Sequence, residues 1–332
     1  MLEKPDLADE KVVTCLQDEY GLTITQITFL PLGADINTAV YRAVTRDEIA
    51  YFVKLRSGPF AEISVLVPDW LYAQGIRVII PPVATTVGEL WASLDDFRLI
   101  VYPFVRGRDG YETPLTERQW RQFGTALRQI HAAAVPDALY PHIPQENYSA
   151  QWRDTVRQFL DSLTLNTYTD PIAAQTAEFL HGRRKQIGAL VQRTEEMAQA
   201  LRPHELPLVL CHSDLHAGNL LLVDGDGLYL VDWDNPVLAP KERDLMFVGG
   251  GQMKNWCTPE AEEALFYPAY GRVSINALAL AYYRYERIVQ DIAAFCEQIF
   301  LTDAGGEDRA QALTYLQANF SPHGVLEIAN AY

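Results

Sequence analysis

Cysteine is scarce in this sequence: 332 residues contain four, and no two of them form a C-x-x-C pair. The four positions are Cys15, Cys211, Cys257 and Cys296. In a chain of this length, such scatter is typical of buried free thiols rather than of a disulfide framework. We therefore expect a protein of a reducing compartment, the cytoplasm.

Long hydrophobic runs are also missing. None approaches the roughly 18 apolar residues that a membrane-spanning helix needs. The opening MLEKPDLADEK is acidic and has neither the basic start nor the apolar core of a secretion signal. Repeats and low-complexity tracts are absent too, so we expect neither a membrane partner nor a repeat architecture.

Positive charge is scarce relative to negative charge. Lys and Arg number 27 against 43 Asp and Glu, which gives a net charge of −16 and a pI of about 4.8. Such a surface repels the phosphates of nucleic acids and of anionic lipids, so we expect neither as a partner. A small cation would be attracted instead. The oligomeric state is left open.

The first hundred residues have mainly the pattern of β-strands. Residues 24–56 carry strong β-formers around a break at 33–37, and residues 60–75 are helical in pattern. RVIIPPVATT at 77–86 and the run at 90–105 return to strand-like patterns. We therefore predict one small lobe made of a sheet and one helix.

After residue 110 the pattern becomes helical. Thr116 and Gln119 form the signature of a capping box, and residues 151–163 and 172–201 also have helical spacing. A β segment at 207–233 interrupts the helices. Its sequence DGDG at 224–227 predicts a hairpin turn. The remainder is mostly helical, with loops predicted at 235–258 and 302–308.

The densest group of polar residues follows the apolar strand that ends near residue 211. His212, Asp214, His216 and Asn219 lie on the loop after this strand, and Asp232 follows the hairpin. Because a hairpin brings its ends together, we expect Asn219 and Asp232 to lie close to one another. Their amide and carboxylate oxygens suit Mg²⁺ that also binds phosphate. Asp214 would face this site and accept the proton of an incoming hydroxyl.

Two other interpretations of this cluster are open. Asp, Asn and Ser are common in hydrogen-bonded turns, so these residues could serve the turn alone. His212 and His216 are four apart and could bind zinc, although zinc pairs of this spacing usually lie on a helix with Glu between them. Gly218 and the flanking strands favour a loop, in which His212 is a buried brace.

The pattern H-x-D-x-x-x-x-N at 212–219, followed by a strand with Asp232-Trp233, resembles the catalytic loop and metal aspartate of the aminoglycoside phosphotransferase family. HSDLHAGN is similar to the H-G-D-L-H-x-G-N form of its small-molecule kinases. The resemblance extends over nearly the whole chain. It implies an α+β, bilobal protein-kinase-like fold, with a small β-rich N-lobe at 1–104 and a larger, mainly helical C-lobe at 105–332.

This resemblance implies ATP, or alternatively GTP, and Mg²⁺ as cofactors, and it makes Asp214 the catalytic residue. Lys54 stands where the family has the strand lysine that contacts the α- and β-phosphates. Glu62, on the next helix, is the expected ion-pair partner of Lys54. Glu48 and Glu89 also flank this lobe and are the alternatives.

Further nucleotide contacts are expected in the N-lobe and at its end. Gly33 and Asn37 lie in the loop that would cover the phosphates, although the family's second and third glycines are missing and Gly33 could be a simple turn residue. Tyr102, Phe104 and Val105 lie at the junction of the two lobes, where the resemblance implies a hinge that binds adenine.

The substrate is predicted from longer similar strings. LGAD at 32–35, YPF at 102–104, APKERDLMF at 239–247 and YYRYERIVQDIA at 282–293 resemble the spectinomycin-modifying members of the family. The candidate substrate-contacting residues are His216, Asp234, Tyr283, Arg284 and Glu286. Trp256 and Tyr270 are either lid aromatics or core, and we expect core.

The predicted function is therefore ATP-dependent O-phosphorylation of a small hydroxylated cation, an aminocyclitol or aminoglycoside such as spectinomycin, as in antibiotic resistance. One alternative is a kinase of another small alcohol, such as choline, homoserine, methylthioribose or fructosamine. The other is a protein that binds nucleotide or drug without catalysis.

Overall fold

The computed structural model describes residues 1–163, 168–251, 253, 256–302, 305–322 and 324–330. Its strands are β1 Ile24–Leu30, β2 Thr38–Thr45, β3 Ala50–Ser57, β4 Ala92–Leu94, β5 Phe97–Pro103, β6 Arg108–Asp109, β7 Val209–Cys211, β8 Leu220–Val223, β9 Gly227–Leu230 and β10 Val237–Ala239. Its helices are α1 Asp9–Tyr20, α2 Ile63–Ala73, α3 Glu117–Ala132, α4 Gln151–Ser162, α5 Pro171–Leu201, α6 Glu242–Leu245, α7 Pro259–Tyr270, α8 Ala277–Phe300, α9 Gly306–Ala318 and α10 Val325–Asn330. The predicted succession of a β-rich lobe and a larger helical lobe is confirmed.

The N-lobe is built on a five-stranded antiparallel sheet in the order β1-β2-β3-β5-β4. Along β3, Val53 and Leu55 are fully buried in the same apolar cluster as Val12 and Leu16 of α1. Because successive side chains of a strand point to opposite faces, Lys54 between them points to the other side of the sheet. This alternation presents the lysine to the cleft between the lobes.

Two N-lobe predictions are wrong. The lobe has two helices rather than one, since the acidic segment before Gly21 forms α1 and ends in a left-handed cap at that glycine, with φ 67°. Residues 77–86 form no strand, because Pro81 and Pro82 have no N–H to donate to a ladder. A single hydrogen bond from Val83 N to Val101 O, 2.7 Å long, ties this segment to β5.

Most of the C-lobe helices were predicted correctly. The capping box is present, because Thr116 Oγ1 accepts from Gln119 N and Gln119 Oε1 accepts from Thr116 N. Helices α4 and α5 agree with the predicted ranges to within about a residue. Helix α8 is the centre of this lobe and packs against α4, α5, α6, α9 and α10. Its long buried face keeps it in a fixed position beside the loop at 212–219.

The β segment of the C-lobe positions that loop. Strand β7 pairs with β10, and β8 pairs with both β6 and β9. The predicted hairpin turn is confirmed, with positive φ at Gly225 (77°) and Asp226 (63°), as a type I′ turn requires. The loop predicted at 235–258 is wrong in part, since it contains β10 and α6; its residues 252 and 254–255, like 303–304 of the loop at 302–308, lie outside the described residues.

Other global expectations can be compared with the structure. No helix in the described part of the chain is long and apolar enough to cross a membrane. All four cysteines are described and free, and three are buried, whereas Cys257 is partly exposed.

Near the chain start, the N–H groups of Leu2 and Glu3 donate to the Asp308 carboxylate at 2.6 and 3.3 Å, which joins the N-lobe side to α9.

Candidate active site

The loop at 212–219 is held by a buried carboxylate beneath it. Asp244 accepts hydrogen bonds from His212 N at 2.9 Å and from Ser213 N at 2.7 Å. His131 Nε2 lies 3.1 Å from the same carboxylate, and its Nδ1 lies 2.8 Å from Tyr270 Oη. Asp244 therefore stabilises the loop.

His212 is a buried brace and not a metal ligand. Its Nε2 lies 2.9 Å from the carbonyl oxygen of Val231, and its Nδ1 accepts from Asp214 N at 3.3 Å. Its ring also packs on Trp233, with 4.5 Å between the centroids. Both ring nitrogens are thus used by the backbone, which argues against the zinc alternative.

The two candidate metal ligands are brought together by the hairpin. Val231 N donates to the carbonyl oxygen of Asn219 at 3.0 Å, so Asp232 follows directly beside Asn219. Asn219 is buried, and its Nδ2 donates to the Asp214 carbonyl at 2.7 Å, which leaves Oδ1 as the acceptor atom. An amide oxygen and a carboxylate are hard ligands, and this donor set fits Mg²⁺.

Asp214 lies at the mouth of this site and is 30% exposed through its side chain. Its Oδ1 accepts from Arg287 Nη1 at 2.5 Å, and its Oδ2 lies 3.8 Å from His216 Nε2. Burial alone would raise the pKa of Asp214, but the guanidinium of Arg287 outweighs it and the pKa is lowered. Asp214 is therefore ionised at neutral pH, as a proton acceptor must be. Burial lowers the pKa of His216.

Arg287 and Asp291 also belong to this site. Both lie on α8, and Arg287 Nε is 2.9 Å from Asp291 Oδ1. In the sequence they form a charged i, i+4 pair within the string at 282–293. Only the tertiary arrangement shows that this pair faces Asp214.

Three other residues of α8 were predicted to contact substrate, and the structure contradicts this. Tyr283 is fully buried, and Arg284 donates to the Val248 carbonyl at 3.0 Å. Glu286 is buried and accepts from Arg153 Nη1 at 2.6 Å. These side chains lie on the inner faces of the helix, where they stabilise the C-lobe core.

Lys54 reaches across the cleft to the C-lobe. Its Nζ lies 2.7 Å from Asp232 Oδ1 and 2.6 Å from Asp234 Oδ1. Asp234 also accepts from Arg56 Nη1 at 2.7 Å. Asp234 was predicted to contact substrate, but it is paired with two basic side chains of the N-lobe, Lys54 and Arg56.

The predicted ion pair between Lys54 and Glu62 is not formed among the described residues. Glu62 is exposed at the start of α2, where its carbonyl oxygen accepts hydrogen bonds from the first turn of the helix. Its negative charge interacts favourably with the positive end of the helix dipole. The alternatives Glu48 and Glu89 are also exposed. The counter-charges of Lys54 come from the C-lobe instead.

The loop between β1 and β2, which is predicted to cover the phosphates, is organised by Asp35. This carboxylate accepts from Asn37 N and Thr38 Oγ1, both at 2.9 Å, and from Arg56 Nη1 at 3.0 Å. Gly33 has φ 88°, a conformation that favours glycine. An aspartate and an arginine thus hold a loop that lacks the expected run of glycines.

The predicted hinge residues lie at the end of β5. Tyr102 pairs with Phe52 of β3, and Phe104 N donates to the Ala50 carbonyl at 3.1 Å. Val105 is half-buried. Their contact with adenine stays a prediction, as does the lobe boundary at 104.

An aromatic rim lies beside Asp214. Tyr111 stacks on His216 with ring centroids 5.7 Å apart, and Trp256 Nε1 donates to the Gly110 carbonyl at 2.7 Å. Trp256 is 45% exposed, so the expectation that it belongs to the core is wrong. Tyr270 is buried, so the same expectation is confirmed for it.

Comparison with known proteins agrees with this geometry. The Phosphotransferase enzyme family matches residues 28–284. The chain is 36% identical to spectinomycin phosphotransferase APH(9)-Ia in complex with ADP and spectinomycin, with a TM-score of 0.90 over 99% of each chain. The AMP-bound complex of that protein gives 35% identity and a TM-score of 0.86 over 98% of this chain and 99% of that one.

More distant proteins share parts of this likeness. Protein StrN of Streptomyces griseus is 23% identical over 232 residues, which cover 66% of this chain and 67% of StrN. Choline kinase LicA from Streptococcus pneumoniae shares the fold, with 12% identity and a TM-score of 0.57 over 98% and 99% of the two chains. Because the family match covers most of the chain, this protein belongs to the phosphotransferase enzyme family and has its bilobal, kinase-like fold.

Proposed function

We propose that the protein transfers the γ-phosphoryl group of ATP to a hydroxyl of spectinomycin or a closely related cationic aminocyclitol. The observation that carries this proposal is the convergence of Asp214, Asn219, Asp232 and Lys54 in one cleft between the lobes. These are the groups that phosphoryl transfer needs: a hydroxyl acceptor, metal-binding oxygens and a phosphate-binding cation.

In the proposed reaction, Asp214 orients the acceptor hydroxyl and receives its proton. The O–H bond breaks as the hydroxyl oxygen bonds to the γ-phosphorus, and the bond from that phosphorus to the ADP oxygen breaks. A loose transition state requires little base strength, so a carboxylate with a lowered pKa is sufficient. Most of the acceleration then comes from orientation and charge.

The remaining groups serve the nucleotide. Asp232 and Oδ1 of Asn219 would hold Mg²⁺, which when bound neutralises charge on the β- and γ-phosphates. Lys54 binds the α- and β-phosphate oxygens after exchanging one of its two carboxylate partners for phosphate. Arg56, linked to both Asp35 and Asp234, holds the covering loop over the nucleotide.

The choice of a cationic aminocyclitol is supported by three features. The chain carries a net charge of −16, which attracts cations. The carboxylates of Asp214 and Asp291 lie beside an exposed aromatic rim that includes Tyr111 and Trp256, a surface suited to a hydroxylated cationic ring. The likeness to a spectinomycin phosphotransferase extends over 99% of both chains. In a cytoplasmic setting, this activity would confer resistance to the drug.

The test is ADP release in the presence of Mg²⁺, with ATP or GTP, across a panel of acceptors: spectinomycin, aminoglycosides, choline, homoserine and methylthioribose. The blank is Asp214→Asn, which keeps the size of the side chain. Turnover with spectinomycin that Asp214→Asn abolishes is the expected result. Turnover with another alcohol alone would contradict the substrate, and nucleotide binding without turnover for any acceptor would favour a non-catalytic binding protein.

A further inference from the structure

Arg287 joins the candidate catalytic residue to a second carboxylate. Its Nη1 lies 2.5 Å from Asp214 Oδ1, and its Nε lies 2.9 Å from Asp291 Oδ1. The side chains of Arg287 and Asp291 are each only 16% exposed. The Arg287 guanidinium carbon also lies 5.9 Å from the centroid of the Phe247 ring, so the guanidinium contacts an aromatic ring as well as two carboxylates.

This arrangement differs from an ordinary helix-stabilising ion pair. An exposed i, i+4 pair contributes only about 0.3–0.5 kcal/mol, and it needs no partner from another element. Here the pair is mostly buried, where desolvation is costly, and it extends to a loop 73 residues earlier in the chain. A buried charge fixed against a functional carboxylate indicates a role in the site rather than in helix stability.

The contacts of Asp214 are asymmetric. Oδ1 is engaged by Arg287, whereas Oδ2 lies 3.8 Å from His216 Nε2, beyond hydrogen-bond distance. The side chain is still 30% exposed. One oxygen of the carboxylate is therefore fixed, and the other is left for a ligand.

On the premise of the phosphotransferase function proposed above, we propose that Arg287 is the positioning residue for Asp214. It holds Oδ1, so that Oδ2 is presented to the acceptor hydroxyl, and Asp291 in turn holds Arg287. The planar guanidinium suits this task, because its several N–H donors can engage two carboxylates at once in a fixed geometry. The three residues form one chain of contacts from α8 to the reacting hydroxyl.

The test compares kcat and both KM values for Arg287→Gln, Arg287→Lys, Asp291→Asn and the double variant Arg287→Gln/Asp291→Asn. We expect Arg287→Gln to lower kcat about 10- to 100-fold, because the partner that orients Asp214 is lost, while the KM for ATP stays within about twofold. Arg287→Lys should recover part of kcat. Because Asp291 acts through Arg287, the double variant should be no slower than Arg287→Gln alone.

Arg193→Gln is the matched control. Arg193 is an exposed arginine of α5 that stacks on the ring of Tyr285, and Tyr285 lies two residues before Arg287 on α8. Among the described contacts, Arg193 has none with the loop at 212–219. Its kcat should equal that of the unchanged protein. Thermal unfolding of every variant separates loss of fold from loss of positioning, and Arg287→Lys keeps the comparison possible if Arg287→Gln does not fold.

Two results would overturn the inference while leaving the proposed function intact. One is unchanged kcat in folded Arg287→Gln, or in Arg287→Lys if only that variant folds. The other is a loss confined to the KM for ATP. If the unchanged protein transfers phosphate to no acceptor, the proposed function fails first, and the role of Arg287 fails with it.

Discussion

The ammonium of Lys54 lies 2.7 Å from Oδ1 of Asp232, although 178 residues separate the two in the chain. Lys54 belongs to β3 of the N-lobe and Asp232 follows β9 of the C-lobe, so this contact spans the cleft. Burial alone would lower the pKa of Lys54, but the carboxylates of Asp232 and Asp234 outweigh it and the pKa is raised. The ammonium of Lys54 therefore stays charged and beside the candidate metal ligand.

Asp232→Asn tests that assignment. Asparagine keeps the shape but removes the charge that would attract Mg²⁺, so we expect turnover to fall on the order of 100-fold or more. The gain in nucleotide affinity that Mg²⁺ produces should also disappear, as measured by titration calorimetry with and without the metal. Asp224→Asn, on the exposed hairpin turn, should keep both properties. A metal-dependent gain that persists in Asp232→Asn would contradict the role of this residue.

Ser213 has a left-handed backbone, with φ 72°, at the position where the resembled pattern has glycine. Its Oγ donates to the Asn235 carbonyl at 2.7 Å. Ser213→Ala loses this bond and keeps the strain, whereas Ser213→Gly loses the bond and relieves the strain. We therefore expect the free energy of unfolding of the alanine variant to be lower than that of the glycine variant by about 1 kcal/mol. Urea unfolding measures the order of the two, and the reverse order would show that the backbone here is not strained.

Glu286 separates a structural role from a substrate role. It is buried with Arg153, which is itself fully buried, so Glu286→Ala removes one of the two carboxylates that contact this guanidinium and should lower the free energy of unfolding by about 2 kcal/mol. The KM for the acceptor should not change in the folded variant. Asp154→Ala, which breaks the exposed pair with Arg157, should cost less than about 1 kcal/mol. A raised acceptor KM in Glu286→Ala would restore this residue to the substrate site.

Glu262 gives the protein a predicted dependence of stability on pH. Burial raises its pKa from 4.5 to about 7, although its carboxylate accepts from Gly249 N at 2.8 Å. The folded state therefore favours the protonated form, and the resulting stability is complete below pH 4.5 and is lost as the pH rises through 7. The amount is at most about 3 kcal/mol.

Glu262→Gln should remove this dependence. The melting temperature of the variant, relative to that of the unchanged protein, should be higher at pH 8 than at pH 5. Glu260 is an exposed residue two positions earlier, and its pKa is lowered rather than raised. The relative melting temperature of Glu260→Gln should therefore not increase from pH 5 to pH 8. An equal difference at both pH values would mean that Glu262 does not titrate in this range.

The features that could be predicted from the sequence depend on patterns within short segments of the chain. His212, Asp214 and Asn219 lie within eight residues, and the hairpin turn determines that Asp232 returns beside them. Short-range geometry was sufficient to place these groups together. The same holds for the capping box of α3, whose two residues are three positions apart in the chain.

What could not be predicted depends on contacts between distant elements. On α8, Glu286 and Arg287 are adjacent charged residues, and only the packing against α4 and the loop at 212–219 decides which one faces the site. Likewise, nothing near Lys54 in the sequence shows that Asp234 rather than Glu62 supplies its second counter-charge. Such choices depend on how the two lobes meet, which no pattern within one segment records.

The hydrogen bond from Leu2 N to Asp308 joins residues that are 306 positions apart. During synthesis at about 5–20 residues per second, its two partners emerge on the order of 15 to 60 s apart. Throughout that interval the nascent N-lobe lacks this hydrogen bond, because α9 has not yet been synthesised. Ribosome-bound chains that stop before α9 should therefore be cut by protease near residue 2 more readily than the completed protein.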